Sequence, residues 1–222
     1  TLLLMIVVLL YSLGRGNFNA QLKEYRFHWR SGDFQSAYHI AQDFSHSDTI
    51  ETSDNIADLH KHAIEAVLYQ GFERWFAVVF WFVFFGPAGA LAYRLVYLYA
   101  DSNDEIMRRN ASSANRCLYI LEWLPVRLLG LTFAIAGNFA SCISVWRQHL
   151  LDDQGKTQTS LRELGLAALG ESEEVACQGP CEEGERKQII DDGDRQVAAL
   201  TDLLGRAAIV WIVAIALGII LT

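Results

Sequence analysis

The sequence predicts an all-α integral membrane protein, with about four apolar transmembrane segments joined by amphipathic helical extramembrane segments. Three observations carry that prediction. The 222 residues are 52% hydrophobic, but the apolar residues come in blocks: uncharged runs cover 1–14, 75–93, 128–146 and 207–222, and nearly all the charge lies between them. The second and third runs are close to the roughly 20 residues that a helix needs to cross a hydrocarbon core of ~30 Å. Trp75, Trp81, Tyr93, Tyr97 and Tyr99 place amphipathic rings along and beyond the second run, where membrane interfaces favour them. A soluble core helix would keep a polar face at a 3.6-residue period, and residues 75–93 have none.

Residues 1–13 are the first transmembrane segment. The chain starts on Thr1 at full hydrophobicity, which predicts a start inside the span. The alternative, a secretory signal, lacks a basic stretch before it and a small-x-small cleavage site after it. Residues 14–73 read as a helical extramembrane segment. Phe18, Leu22, Tyr25 and Trp29, then Phe34, Tyr38 and Ala41, recur at intervals of three and four, the spacing of amphipathic helices. Gly32 suits the end of the first helix and Asp33 the cap of the second, which predicts a helical hairpin. After a Ser/Asp/Thr loop over 45–52, a third helix begins near Thr52 or Asp54. Its stripe is Ile56, Leu59, Ala63, Ala66, Val67 and Gln70, with Glu65 on or beside it. His60 and His62, two residues apart, point to different sides of a helix, so a solvated face with one partly buried His outweighs a metal site.

Residues 74–99 form the second transmembrane segment, interrupted by Gly86-Pro87-Ala88-Gly89-Ala90. Pro87 removes a backbone donor, and the small residues admit a close neighbour. A kink is the modest expectation. The bolder one is a break into two half-helices that dip in and return, allowed where protein or water satisfies the freed backbone groups. Residues 100–124 read as a loop and an amphipathic surface helix, with Asp104 and Glu105 ahead of Arg108, Arg109 and Arg116 in the order that complements a helix dipole. Pro125 then suits the first turn of a third transmembrane segment, 125–147. Residues 148–205 form an acidic extramembrane loop with short helices over 160–169 and 189–204, and 206–222 the last transmembrane segment. Lys and Arg near the span ends are more numerous on the side holding 14–73 and 149–205, which predicts that side to be cytoplasmic. Arg94, Arg108, Arg109, Arg116 and Arg127 are dense on the other side, and a segment 74–99 that turned back would explain them.

Signatures of chemistry are sparse. There is no phosphate-binding P-loop, no G-x-S-x-G, no H-E-x-x-H and no paired C-x-x-C. A net charge of −8 without a basic stripe excludes a nucleic-acid surface. Cys177 and Cys181 have three residues between them rather than the two of redox and zinc motifs, so they read as a thiol pair on a reducing side. Neither a metal nor a cofactor is called for. The most informative polar stretch is Leu121-Glu122-Trp123-Leu124-Pro125-Val126-Arg127, a carboxylate and a guanidinium five apart at a membrane boundary. In the first turn of a span, Arg127 faces an adverse dipole unless an acid or an anionic ligand offsets it. The bland reading is snorkelling to lipid phosphate. The functional reading gathers Glu65, Arg94, Asp101, Glu122 and Arg127 into a small pocket favouring carboxylate or phosphate.

At these residues the chain resembles a known family. FAVVFWFVFFGPAGALAYRLVYLY followed by CLYILEWLPVRLLGLTFAIAGNF is similar to AmpE, the inner-membrane proteins encoded beside the amidase AmpD in many Gram-negative bacteria. The FW, GPAGALAYR and EWLPVRL elements carry the resemblance, which covers roughly residues 18–148. It implies a multi-pass protein of the bacterial inner membrane, a regulator linked to β-lactamase induction and cell-wall recycling. A cytosolic amidase of the AmpD type or a cell-wall-derived small molecule is the partner implied. AmpE is distantly related to the CobD/CbiB adenosylcobinamide-phosphate synthases, which join aminopropanol or its phosphate to a corrinoid. Those enzymes carry E-N-x-S-D-G before the FW segment and N-T-x-D-S-M-x-G-Y after the YR. The corresponding places here read Leu68-Tyr69-Gln70-Gly71-Phe72 and Leu98-Tyr99-Ala100-Asp101-Ser102-Asn103, where only Asp101-Ser102 remains. Two readings follow. The first is a non-enzymatic membrane regulator that senses a ligand or docks a partner. The second is a membrane ligase or transferase with a changed substrate, which an organised pocket of Glu65, Arg94, Glu122 and Arg127 would favour.

Overall fold

The computed structural model describes residues 9, 11–12, 18–45, 56–100, 111–150, 156–171 and 183–221. All of the regular structure among them is helical: α1 (Phe18–Ser31), α2 (Phe34–Ser45), α3 (Ile56–Gly71), a π-helical turn (Phe72–Ala77), α4 (Val78–Ala100), α5 (Ala111–Ala136), α6 (Phe139–Leu150), α7 (Thr157–Leu169) and α8 (Glu183–Leu221). Three stretches are long and apolar enough to cross a membrane: Ile56–Ala100, Ser113–Ala136 and Arg186–Leu221. Asp101, most of the loop over 45–52, Asp104 to Arg109, and the Cys177–Cys181 pair lie outside the described residues. So does most of the first apolar run, whose Leu9, Tyr11 and Ser12 are helical.

The amino-terminal hairpin forms as its spacing predicts. Leu22, Tyr25 and Trp29 turn one face of α1 inward. Gly32, at φ 75°, ends the helix in a Schellman turn, with Gly32 N bonded to Trp29 O and Asp33 N to His28 O. Asp33 Oδ1 then accepts from Ser36 N at 3.2 Å and caps α2. The Ser36 hydroxyl and N–H hold the Asp33 carboxyl below the usual carboxylate range. The hairpin docks on α8 through Arg26 and Arg30, both bonded to Asp194, and through Trp29 Nε1, which donates to Ile190 O.

The apolar middle of the chain is where the architecture departs from a row of simple spans. At Gly86 the backbone leaves the helix, with φ 65° and ψ −154°, a region that glycine alone enters cheaply. The two arms of α4 then run back along each other. A Cβ built on Gly89 would lie 2.5 Å from Trp81 O, and Arg94 Nη1 reaches Glu73 Oε2 at 2.6 Å. In an unbroken helix residues 73 and 94 would be about 31 Å apart. The bolder expectation for Gly86-Pro87 is therefore the observed geometry, a helical hairpin whose arms, residues 72–85 and 87–100, are each about 21 Å long.

A second reversal divides the apolar run 128–146, expected as one span. Helix α5 ends at Ala136, and Asn138 restarts the chain as α6, its Oδ1 accepting from Ser141 N at 3.3 Å. The helices fold together: Trp146 Nε1 donates to Arg127 O at 2.8 Å, and Cys142 Sγ lies 3.6 Å from Gly130 O. Gly137 is needed at the turn because a Cβ there would collide with the Ala168 carbonyl. That carbonyl accepts from Asn138 N at 2.6 Å. Pro125 does not open a helix either. It sits inside α5, which continues through it, so the surface helix and the third span expected on either side of it are one element.

Contacts to α8 set the relative levels. Gly71 packs on Leu204 and Phe76 on Trp211, so the first arm of the α4 hairpin runs beside the apolar end of α8. Glu122 of α5 bonds to Tyr69, one turn before the hairpin, while Ala136 O accepts from Arg206 Nη1. Both ends of the apolar part of α5 thus lie at the base of the hairpin, and α5 crosses that base rather than running along α8. Its outer stripe, Ile120, Leu124, Leu128 and Ile135, is exposed. The core beneath is continuous, from Tyr25 and Trp29 through Leu68, Phe72 and Phe76 to Leu129, Phe133, Leu164 and Leu203. The helices expected over 189–204 and the last span form a single 39-residue helix, α8.

Candidate functional site

The hairpin fold brings buried ionisable groups together at its base. Helix α3 and the π-helical turn after it place Glu65, Tyr69 and Glu73 at i, i+4 and i+8, one stripe facing α5 and α7. Single π turns of this kind recur at functional sites, because the extra residue re-aims the side chains beside it. Glu73, 2% exposed, accepts from Arg94 Nη1 at 2.6 Å through Oε2, and its Oε1 lies 3.4 Å from Arg74 Nε. Arg94 comes from the returning arm, one turn before Tyr97, whose ring centre lies 4.9 Å from its guanidinium. Glu122, also 2% exposed, accepts through Oε1 from Tyr69 OH at 2.9 Å and Tyr93 OH at 3.1 Å. The Thr157 side chain bonds to the same carboxylate, and Glu73 is close enough to act on it electrostatically.

This arrangement ties four elements to one carboxylate. Tyr69 belongs to α3, Tyr93 to the returning arm, Glu122 to α5 and Thr157 to α7. Two buried carboxylates beside two half-buried arginines at the base of an apolar hairpin are costly to desolvate, and such groups in membrane segments mark function by default. Chemically, the site offers a guanidinium, two carboxylates and tyrosine hydroxyls. A ligand able to displace Arg94 from Glu73, or the tyrosines from Glu122, would loosen the returning arm from the elements that hold it.

Of the residues proposed from sequence, Arg94 and Glu122 fall in this cluster and two others lie apart from it. Glu65 pairs with Arg162 at 3.1 Å and His62 at 3.6 Å. Arg127 donates to Trp123 O at 3.0 Å and His149 O at 2.8 Å, with its guanidinium 3.9 Å over the Trp123 ring. Glu122 turns to the tyrosines rather than to Arg127, whose bonds described above go to the Trp123 and His149 carbonyls. The reason is positional. Arg127 is in the middle of α5, so the helix-terminal dipole that argued for an acid partner does not act on it. Sequence reading missed Glu73, Tyr69 and Tyr93. The available signal was an acid one residue before Arg74 at the very start of the apolar run. Among the described residues, no group of three or more His, Cys, Asp or Glu is placed to hold a metal ion.

Comparison with known proteins gives two results. A family model described as "Regulatory signalling modulator protein AmpE" matches residues 1–178. The cobalamin biosynthesis protein CobD of Chromobacterium violaceum is 30% identical over 145 residues, 64% of this chain and 46% of that protein. The CobD of Stutzerimonas stutzeri is 29% identical over 114 residues, 49% of this chain and 37% of that protein. The matched part thus spans less than half the length of these curated relatives. No solved structure matches the chain.

Proposed function

The chain belongs to the AmpE family of regulatory signalling modulator proteins, and we propose that it is a multi-pass membrane regulator whose sensing element is the base of the α4 hairpin. The family match and the three membrane-capable stretches mark it as a membrane protein. The inner membrane of a bacterium is the membrane proposed, and β-lactamase induction with cell-wall recycling the process. A cell-wall-derived small molecule or a cytosolic amidase of the AmpD type is the proposed partner. The observation that carries the sensing role is the shared Glu122 carboxylate, on which Tyr69 of α3 and Tyr93 of the returning arm converge while Arg94 latches that arm to Glu73. A ligand competing for these groups would have differential affinity for latched and unlatched arms, which is what a two-state sensor requires.

The test is complementation in a strain lacking its own copy, with induced β-lactamase activity as the readout. Wild type is expected to restore the normal induction response, and Glu122→Gln and Arg94→Ala to fail while still reaching the membrane at normal levels. Normal induction by both variants would overturn the assignment.

A second reading, a ligase- or transferase-type membrane enzyme on the CobD scaffold, is supported by the 30% identity to a cobalamin biosynthesis protein. The discriminating pocket favours the regulator, because Glu65 and Arg127 lie apart from Arg94 and Glu122. Rescue of cobalamin-dependent growth in a strain without CobD would establish the second reading, and failure alongside restored β-lactamase induction would exclude it.

A further inference from the structure

A cavity of about 890 Å³ lies between the first arm of the α4 hairpin, the apolar part of α5 and the end of α8, with Leu9 also on its wall. Its size is that of a ligand site. The wall is apolar apart from Thr132 and the indole N–H of Trp211, and these two satisfy each other. Trp211 Nε1 donates to Thr132 Oγ1 at 3.0 Å, and the Thr132 hydroxyl donates to Leu128 O at 2.8 Å. A cavity so lined stays dry and takes apolar guests. Its rim is open, since Val83, Phe84, Leu128, Ile135 and Ile219 are exposed. All five belong to the membrane-capable stretches, so the medium at the opening is lipid. Along α8 the cavity runs from Val210 to Ile219, about 14 Å at the helical rise.

A cation stands at one end of this space. Arg206, Val210, Ala214 and Gly218 follow one another at i+4 on α8, and the last three line the cavity. Arg206 Nη1 donates at 2.9 Å to the carbonyl of Ala136, the residue after Ile135 of the wall. That bond uses one of the five N–H donors of a guanidinium. Arg206 is exposed, and among the described residues no acid pairs with it. We propose that the cavity is a binding site for an anionic glycerophospholipid, with an acyl chain in the apolar space and the phosphate on Arg206. A guanidinium fork matches phosphate oxygens, and a zwitterionic headgroup would bring its own ammonium beside Arg206 where an anionic one does not. Basic residues at gaps between membrane helices bind headgroups of this kind. Because three elements build the wall, a bound chain fastens the first arm of the hairpin and α5 to α8. The site shares no residue with the hairpin base and does not rest on the reading given above.

Competition between two lipids tests it. The full chain, purified in detergent and stripped of lipid, is offered equal amounts of phosphatidylglycerol and phosphatidylcholine with the same acyl chains, and the retained lipid is identified by native mass spectrometry. Phosphatidylglycerol is expected to be retained over phosphatidylcholine by about tenfold, the ratio that a hydrogen bond to a charged group supports. Arg206→Gln, which keeps a donor for the Ala136 carbonyl, is expected to bring the two lipids close to equal retention. Ala214→Phe, at an exposed position on the cavity wall, is expected to lower retention of both lipids and leave their ratio in place. Equal retention of the two lipids by the wild type would mean hydrocarbon contact only. That result, a ratio unchanged in Arg206→Gln, or retention unchanged in Ala214→Phe would overturn the proposal.

Discussion

At the scale of single residues, the structure replaces one expected pair with another. Glu73 is buried, Arg94 is half-buried, and they bond at 2.6 Å, so removing Arg94 strands a buried carboxylate. Arg94→Ala is predicted to lower stability by roughly 1–3 kcal/mol, the cost of leaving a buried acceptor short of its donor while Arg74 stays beside it. Adding Glu73→Gln should recover a substantial part of that loss in thermal melts in detergent, and purely additive effects would contradict the pairing. The opposite holds for Arg127 and Glu122, which bond to different partners. Arg127→Ala and Glu122→Gln are predicted to add within about 0.5 kcal/mol, and a larger coupling would mean that the two do interact. Sequence reading found Arg94 and Glu122 because each interrupts an apolar context. It could not find their partners. Glu73 lies 21 residues from Arg94, and Tyr69 lies 53 from Glu122, so only the tertiary fold brings them together.

At the scale of elements, the amphipathic helices of the polar segments were legible, since periodicity and capping act within a few residues. The Schellman turn at Gly32 and the cap at Asp33 are where local chemistry puts them. The apolar runs were legible as membrane material but not in their path. A run of 19 uncharged residues looks alike whether it crosses or turns, and Gly137-Asn138 carries no proline to announce the second reversal. The two glycines at the turns should respond differently to substitution. Apart from its chain neighbours, no atom lies within 4 Å of a Cβ built on Gly86, so Gly86→Ala costs only backbone strain, about 1–3 kcal/mol at φ 65° and ψ −154°. Gly137→Val meets the Ala168 carbonyl directly and is predicted to destabilise more than Gly86→Ala in the same melt. Equal losses would argue against the contact between the α5–α6 turn and α7.

At the scale of the whole molecule, two reversals change the topology that charge counting implies. With both apolar runs folded back, and α5 crossing the hairpin base, Arg94, Arg116 and Arg127 no longer need a separate side. They join the polar segments that hold Lys61, Arg147 and Lys156. This one-sided arrangement, proposed to face the cytoplasm, predicts that cysteines placed at Ser45, Arg116 and Gly170 resist an impermeant thiol reagent in intact cells and all react after permeabilisation. Labelling of one of the three in intact cells would break the arrangement. The candidate site depends on the return of the chain at Gly86, which brings Arg94 to Glu73 and Tyr93 to Glu122. The most direct measurement is the distance between spin labels at Arg74 and Leu95 in the membrane-embedded chain. The folded hairpin predicts a short distance, that of neighbouring helices whose axes are ~8–10 Å apart, whereas about 31 Å, the span of an unbroken helix, would contradict it.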